Sequence, residues 1–221
     1  MKKEETIKRF CFGAVKTLGR EKQVSFALDN LTVKDFAENH EIEGFELFQN
    51  DSFCFAILDV TSELNLTILR DKAKVYSKEG YGISDLSDEV KLLDRIFKKD
   101  VGTSHYGSKN ENYKRTVMTL QIKNNPGLLK EYIEVHAKVW PQIIDNMNTM
   151  GIRDMEIYLL GHQAFLIMET DLCFNLEKEG ERWSNLPEEQ EWQYYVAKFQ
   201  NVDSNNKVVE KWKEMQLVNK N

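Results

Sequence analysis

An α+β protein of two similar units, each with helices laid on an antiparallel sheet, is what this 221-residue chain predicts. Three observations carry the prediction. In the second half, apolar periodicity runs in the order strand, helix, hairpin, helix, closing strand. The segment Gly44–Val60 lies over Asp154–Thr170 without a gap, so that Glu46, Phe55 and Ile57 meet Glu156, Phe165 and Ile167. Residues 100–112 are polar and contain glycine, and all four tryptophans and all three prolines fall after them. The expected units span residues 1–106 and 107–221.

Each element of the second half has a local cause. Arg115–Lys123 alternates as a strand does. Asn125 and Pro126 suit the cap and first position of a helix that runs to about Met150, with Gly151 closing it. Pro141 has no N–H for the carbonyl four residues back, so a kink or restart is expected near Trp140. A hairpin over residues 154–170 follows, then a helix from about Glu188 to Gln200 and a closing segment, Val208–Leu217. The first half predicts the same order: a strand at Arg9–Val15, a helix near Arg20–Phe36, the hairpin, and a helix at Asp88–Lys98 with Val90, Leu93 and Phe97 on its apolar face. Strand, helix, hairpin, helix, strand is the ferredoxin-like order. Two such units in one chain predict an intramolecular pseudo-dimer of the dimeric α+β barrel type.

Composition excludes several function classes. A net charge of −6, with lysines spread along the chain, disfavours nucleic acid. No apolar stretch is long enough to span a bilayer, and the charged N-terminus does not read as a signal peptide. Cys11, Cys54 and Cys173 are odd in number and far apart, which fits a reducing cytoplasm. His40, His105, His136 and His162 lack metal-ligand spacing, and no phosphate-binding glycine loop is present, so no cofactor is expected.

One stretch points to chemistry. In Tyr132-Ile-Glu-Val-His136-Ala-Lys-Val-Trp140-Pro141, a phenol, an imidazole and an indole recur every fourth residue, which places them on one helix face. Such a set suits a polyhydroxylated ligand: a flat platform, a hydrogen-bonding tip and a proton carrier near neutral pH. Core packing is the competing explanation for an aromatic stripe.

The second half resembles the L-rhamnose mutarotase family, whose order it follows through Tyr132-x3-His136-x3-Trp140-Pro141, Gly151–Tyr158, Phe165–Glu169 and Glu191-Trp192. The resemblance implies cofactor-free interconversion of the α and β anomers of a 6-deoxyhexose such as L-rhamnose. It also implies His136 as proton donor, Tyr132 as a substrate-binding phenol and Trp192 as a sugar platform. Trp140 and Tyr158 join the substrate-binding set, each with packing as an equal alternative. The second acid–base group is open among Glu156, Tyr158 and water. Two positions depart from rhamnose-assigned members: Gln193 follows Trp192 where a second tryptophan can stand, and Met155 replaces a substrate-contacting tyrosine. Both bear on which sugar binds.

The first half departs further. Lys22, Phe26 and Asn30, or residues one helical turn away, fall opposite Tyr132, His136 and Trp140; under either placement the segment has no histidine, tyrosine or tryptophan, so the same chemistry is not expected there. It reads as a partner domain completing the barrel. The expected ligand is a monosaccharide, and the expected assembly a homodimer of pseudo-dimers. The competing readings are a non-catalytic carbohydrate-binding or regulatory module, and another α+β-barrel enzyme such as a small oxygenase.

Overall fold

The computed structural model of the protein describes residues 8–16, 42–60, 91–99, 113–201 and 211–220. In chain order the elements are β1 (Lys8–Val15), β2 (Ile42–Gln49), β3 (Phe53–Val60), β4 (Lys91–Leu92), β5 (Asp94–Lys98), β6 (Tyr113–Gln121), α1 (Pro126–His136), α2 (Pro141–Thr149), β7 (Ile152–Leu160), β8 (Gln163–Asp171), α3 (Leu176–Ser184), α4 (Glu189–Ala197), β9 (Lys213–Glu214) and β10 (Gln216–Lys220). The helix expected near residues 20–36 lies outside the described residues. No helix among them is long and apolar enough to cross a membrane.

Two antiparallel five-stranded sheets form, ordered β10-β2-β3-β1-β4 and β5-β7-β8-β6-β9. Their ladders match residue for residue. In the first, Ile42 faces Val60 and Gly44 faces Asp59, with a bulge between; in the second, Ile152 faces Thr170 and Asp154 faces Glu169, with the bulge in the same place. The spacing that aligned the two sequences therefore also aligns the two registers. Arg9 faces Asp59 in one sheet and Arg115 faces Glu169 in the other. Both pairs are ion pairs: Arg9 Nε lies 2.8 Å from Asp59 Oδ1, and Arg115 Nη2 lies 2.7 Å from Glu169 Oε1.

The helix expected at Asp88–Lys98 is corrected over its described part, which forms two short strands. β4 pairs with β1, and Leu93 N–H donates to the Cys11 carbonyl at 2.9 Å. The chain then leaves that sheet, and β5 lies beside β7 in the other. The C-terminal segment does the same in reverse: β9 pairs with β6, and β10 with β2. Accordingly, one compact unit comprises Met1–Asp94, Thr103–Lys109 and Gln216–Asn221, and the other Arg95–Gly102 and Asn110–Met215. Each sheet takes one edge strand from the far half of the sequence.

In the second unit the helices form as their caps dictate. Asn125 caps α1, its side chain accepting from the N–H groups of Gly127 and Leu128, with Pro126 inside the first turn. The chain breaks after His136 and restarts at Pro141, with Trp140 as the cap residue of α2. Gly151 takes φ +74°, the left-handed turn that lets α2 end and β7 begin. α3 had no counterpart in the expected order; its cap is Asn175, accepting from Lys178 N–H. The core here joins Met118, Leu120, Ile143, Met147, Ile157, Leu166 and Phe199, all buried.

Candidate active site

Strand alternation decides which side chains meet the helices. On β7, Met155 and Ile157 share a buried cluster with the helices, and on β8 so do Leu166 and Met168. Against them α1 brings Tyr132 and His136, while α4 brings Trp192 and Val196. Between these layers lies a cavity of about 90 Å³. Its polar lining is Tyr132, His136, Trp183, Glu189, Trp192, Gln193, Gln200 and Trp212. Phe97, from β5, forms part of its wall, with its ring centroid 6.5 Å from that of His136.

Phe97, His136 and Val139 also line an open groove of about 360 Å³, whose rim carries Arg95, Lys98 and Lys138. Those three shared residues make the groove and the cavity neighbours. Arg95 is held by Glu156 at 3.1 Å and Lys98 by Asp154 at 3.5 Å. Burial pushes the Asp154 carboxyl above its ordinary range, with Glu156 nearby adding to the effect.

His136 is buried, and its Nδ1 lies 2.8 Å from the Tyr132 carbonyl. A carbonyl oxygen only accepts, so Nδ1 carries the proton and Nε2 holds the lone pair. Burial lowers the imidazole to about 4, against a smaller opposing effect of that hydrogen bond. The ring is therefore neutral at pH 7. Tyr132 is 1% exposed, and burial raises its phenol above the ordinary tyrosine value, so its hydroxyl keeps its proton. Its ring centroid lies 4.1 Å from that of His136. Trp192 stands edge-on to His136 at 5.8 Å.

Four buried polar side-chain atoms among the described residues have no hydrogen-bond partner: Tyr132 Oη, His162 Nδ1, Trp183 Nε1 and Gln200 Oε1. Three of them belong to residues lining this one cavity. An unpartnered buried polar atom costs about 1–3 kcal/mol.

Of the residues singled out from sequence, Tyr132, His136, Met155, Trp192 and Gln193 meet at the cavity. Trp140 and Tyr158 do not line it. Trp140 packs against Trp192 at 5.3 Å and stacks on Tyr195 at 6.0 Å, so it buttresses the Trp192 indole. Tyr158 lies three residues from Met155 on one strand, which puts the two on opposite faces. Its hydroxyl donates to Glu156 Oε2 at 2.5 Å. Neither Glu156 nor Tyr158 is among the residues lining the cavity.

Phe97, Trp183, Glu189, Gln200 and Trp212 line the cavity and were not singled out from the sequence. For Glu189 a signal existed. In the run Pro187-Glu-Glu-Gln-Glu191, it alone falls at three, four and seven residues from Trp192, Gln193 and Val196, on their helix face.

The family model described as L-rhamnose mutarotase matches residues 115–220. A UPF0734 protein of Dictyostelium discoideum is 31% identical over 111 residues, covering 48% of this chain and 89% of its own length. The L-fucose mutarotase of Xanthomonas campestris is 24% identical over 102 residues, covering 45% of this chain and 82% of its own. Among solved structures, an anthrone oxidase-like protein aligns with a TM-score of 0.51 at 9% identity, over 99% of this chain and 94% of that one. That last likeness shows the fold alone.

Proposed function

The chain belongs, through residues 115–220, to the L-rhamnose mutarotase family, and from that premise we propose that it interconverts the α and β anomers of a 6-deoxyhexose. One cavity lined by the phenol of Tyr132, the imidazole of His136 and the indole of Trp192 carries the reading. A monosaccharide offers hydroxyls that both donate and accept, which suits a phenol, an indole N–H and an amide oxygen at once.

The reaction requires the anomeric hydroxyl to lose a proton and the ring oxygen to gain one as the C1–O5 bond breaks. The open aldehyde then rotates and closes on its other face. A neutral His136 with its lone pair on Nε2 is an acceptor at rest. In this reading it takes the anomeric proton on opening and returns it on closing, so its donor role belongs to the second half of the cycle. Tyr132 hydrogen-bonds the sugar and Trp192 supplies the flat face, with Met155 and Gln193 completing the lining that selects it.

We also read the two units as ferredoxin-like copies fused by duplication into an intramolecular pseudo-dimer, divided in sequence near residue 106. The matched bulges and the matched arginine–carboxylate pairs support this. Cys11 and Cys54, buried as thiols rather than joined in a disulfide, suit the cytoplasm as compartment.

Exchange NMR on L-rhamnose and L-fucose tests the enzyme. The protein should speed anomer exchange, and His136→Ala should remove about 10²–10⁴-fold of that acceleration. No acceleration of any tested sugar would leave a binding module as the better reading.

A further inference from the structure

Resting on the mutarotase reading, we propose that Glu189 is the second proton-transfer group of this site, working across the cavity from His136. The reaction needs two groups, one at each oxygen. Among the cavity-lining residues the titratable side chains are Tyr132 and His136 from α1 and Glu189 from α4; Arg95, Lys98 and Lys138 line the neighbouring groove instead. Glu189 is the one carboxylate among them, and it is 3% exposed.

The carboxylate is held by amides rather than by a cation. Gln193 Nε2 donates to Oε1 at 3.0 Å, and Asn146 Nδ2 donates to Oε2 at 3.2 Å. Asn146 is fixed in turn by the Pro187 carbonyl, to which it donates at 2.9 Å, and by Gln142, which donates to its Oδ1 at 3.1 Å. Two neutral donors leave a carboxylate with lone pairs to spare. A partner of fixed positive charge would tie it up, as Arg115 does Glu169. The residue preceding it, Glu188, is the sole non-glycine with positive φ among the described residues, at 61°. Glu189 lines one cavity with Tyr132, His136 and Gln200, so the carboxylate belongs to the same polar lining as the imidazole.

With His136 the acceptor on opening, the acid of the productive complex is Glu189, which enters carrying the proton. The protonated partner gives that proton to the ring oxygen as the C1–O5 bond breaks. The other takes the proton of the anomeric hydroxyl, whose electrons form the aldehyde carbonyl. After rotation about C1–C2 both transfers reverse. Sugar and pair return to their starting protonation, with no oxidant or co-substrate consumed. Gln193 orients the carboxylate, which gives a role to the residue standing where rhamnose-assigned relatives can carry a second tryptophan.

Glu189→Gln keeps size and some hydrogen bonding but carries no transferable proton. Exchange NMR over a range of L-fucose and L-rhamnose concentrations and from pH 5 to 9 should show kcat down at least about a hundredfold, KM changed less than threefold, and one limb of the pH profile gone. Glu189→Asp should recover part of kcat and restore that limb; it also serves if Glu189→Gln fails to fold. Wild-type kcat and pH profile in Glu189→Gln, or a loss confined to KM, would overturn the assignment while leaving the mutarotase intact. No acceleration by the wild type would overturn both readings.

Discussion

Burial holds the His136 imidazole at about 4, below its ordinary 6.5, and this has a consequence for stability as well as for chemistry. Between those two values the unfolded chain binds a proton at this position and the native protein does not. Stability from this group is therefore full above 6.5 and is lost as pH falls toward 4. From pH 7 to pH 5 the loss should be about 2 kcal/mol, since each pH step below 6.5 removes about 1.4 kcal/mol. Urea melts of the wild type and His136→Phe at the two pH values measure it. A variant as pH-sensitive as the wild type would show that the imidazole titrates normally. The residue itself was legible in the sequence, because a spacing of four on a helix is a geometric statement. Glu189 was legible only through helical phase, which separates it from its acidic neighbours Glu188 and Glu191. Tyr158 shows the converse: strand parity was enough to separate it from Met155.

At the scale of elements, the same device braces each sheet from within. Arg9 donates to Asp59 through Nε at 2.8 Å and Nη2 at 3.0 Å, across the β1–β3 ladder, where both side chains are nearly without solvent contact. Removing one partner strands a buried charge. Arg9→Met should cost about 3–5 kcal/mol, and replacing Arg9 and Asp59 together by apolar residues much less. Chemical denaturation of the single and double variants decides it, equal losses in both being the adverse result. The hairpins, the Asn125 cap and the restart at Pro141 were readable because short-range rules govern them. β5 was not. Val90, Leu93 and Phe97 stand three and four apart, as on a helix face. The strands over residues 91–98 instead owe their form to partners distant in sequence: Cys11 for Leu93, Met155 for Lys99. Local pattern cannot report an edge that another segment supplies.

For the molecule as a whole, the two sequence halves and the two compact units are not the same objects. Phe97, made with the first half, walls the cavity that holds His136 and Glu189. A protease site engineered between residues 106 and 107 should therefore give fragments that co-elute under native conditions, retain anomer exchange, and part only in denaturant. Separate elution without denaturant would show that strands β5 and β10 do not hold the sheets as described. The first half thus serves the site with a strand, though its own segment opposite Tyr132 and His136 carries neither side chain type.

The exchange of edge strands also orders events during synthesis. β2 emerges from the ribosome early, yet the strand that covers its edge, β10, is made more than 150 residues later. At roughly 5–20 residues per second, that edge stays open on the order of ten seconds in every nascent chain. An unpaired edge is a template for pairing with other strands. The burden of keeping the nascent chain from aggregating falls on this interval, and it ends only with the last few residues that pair.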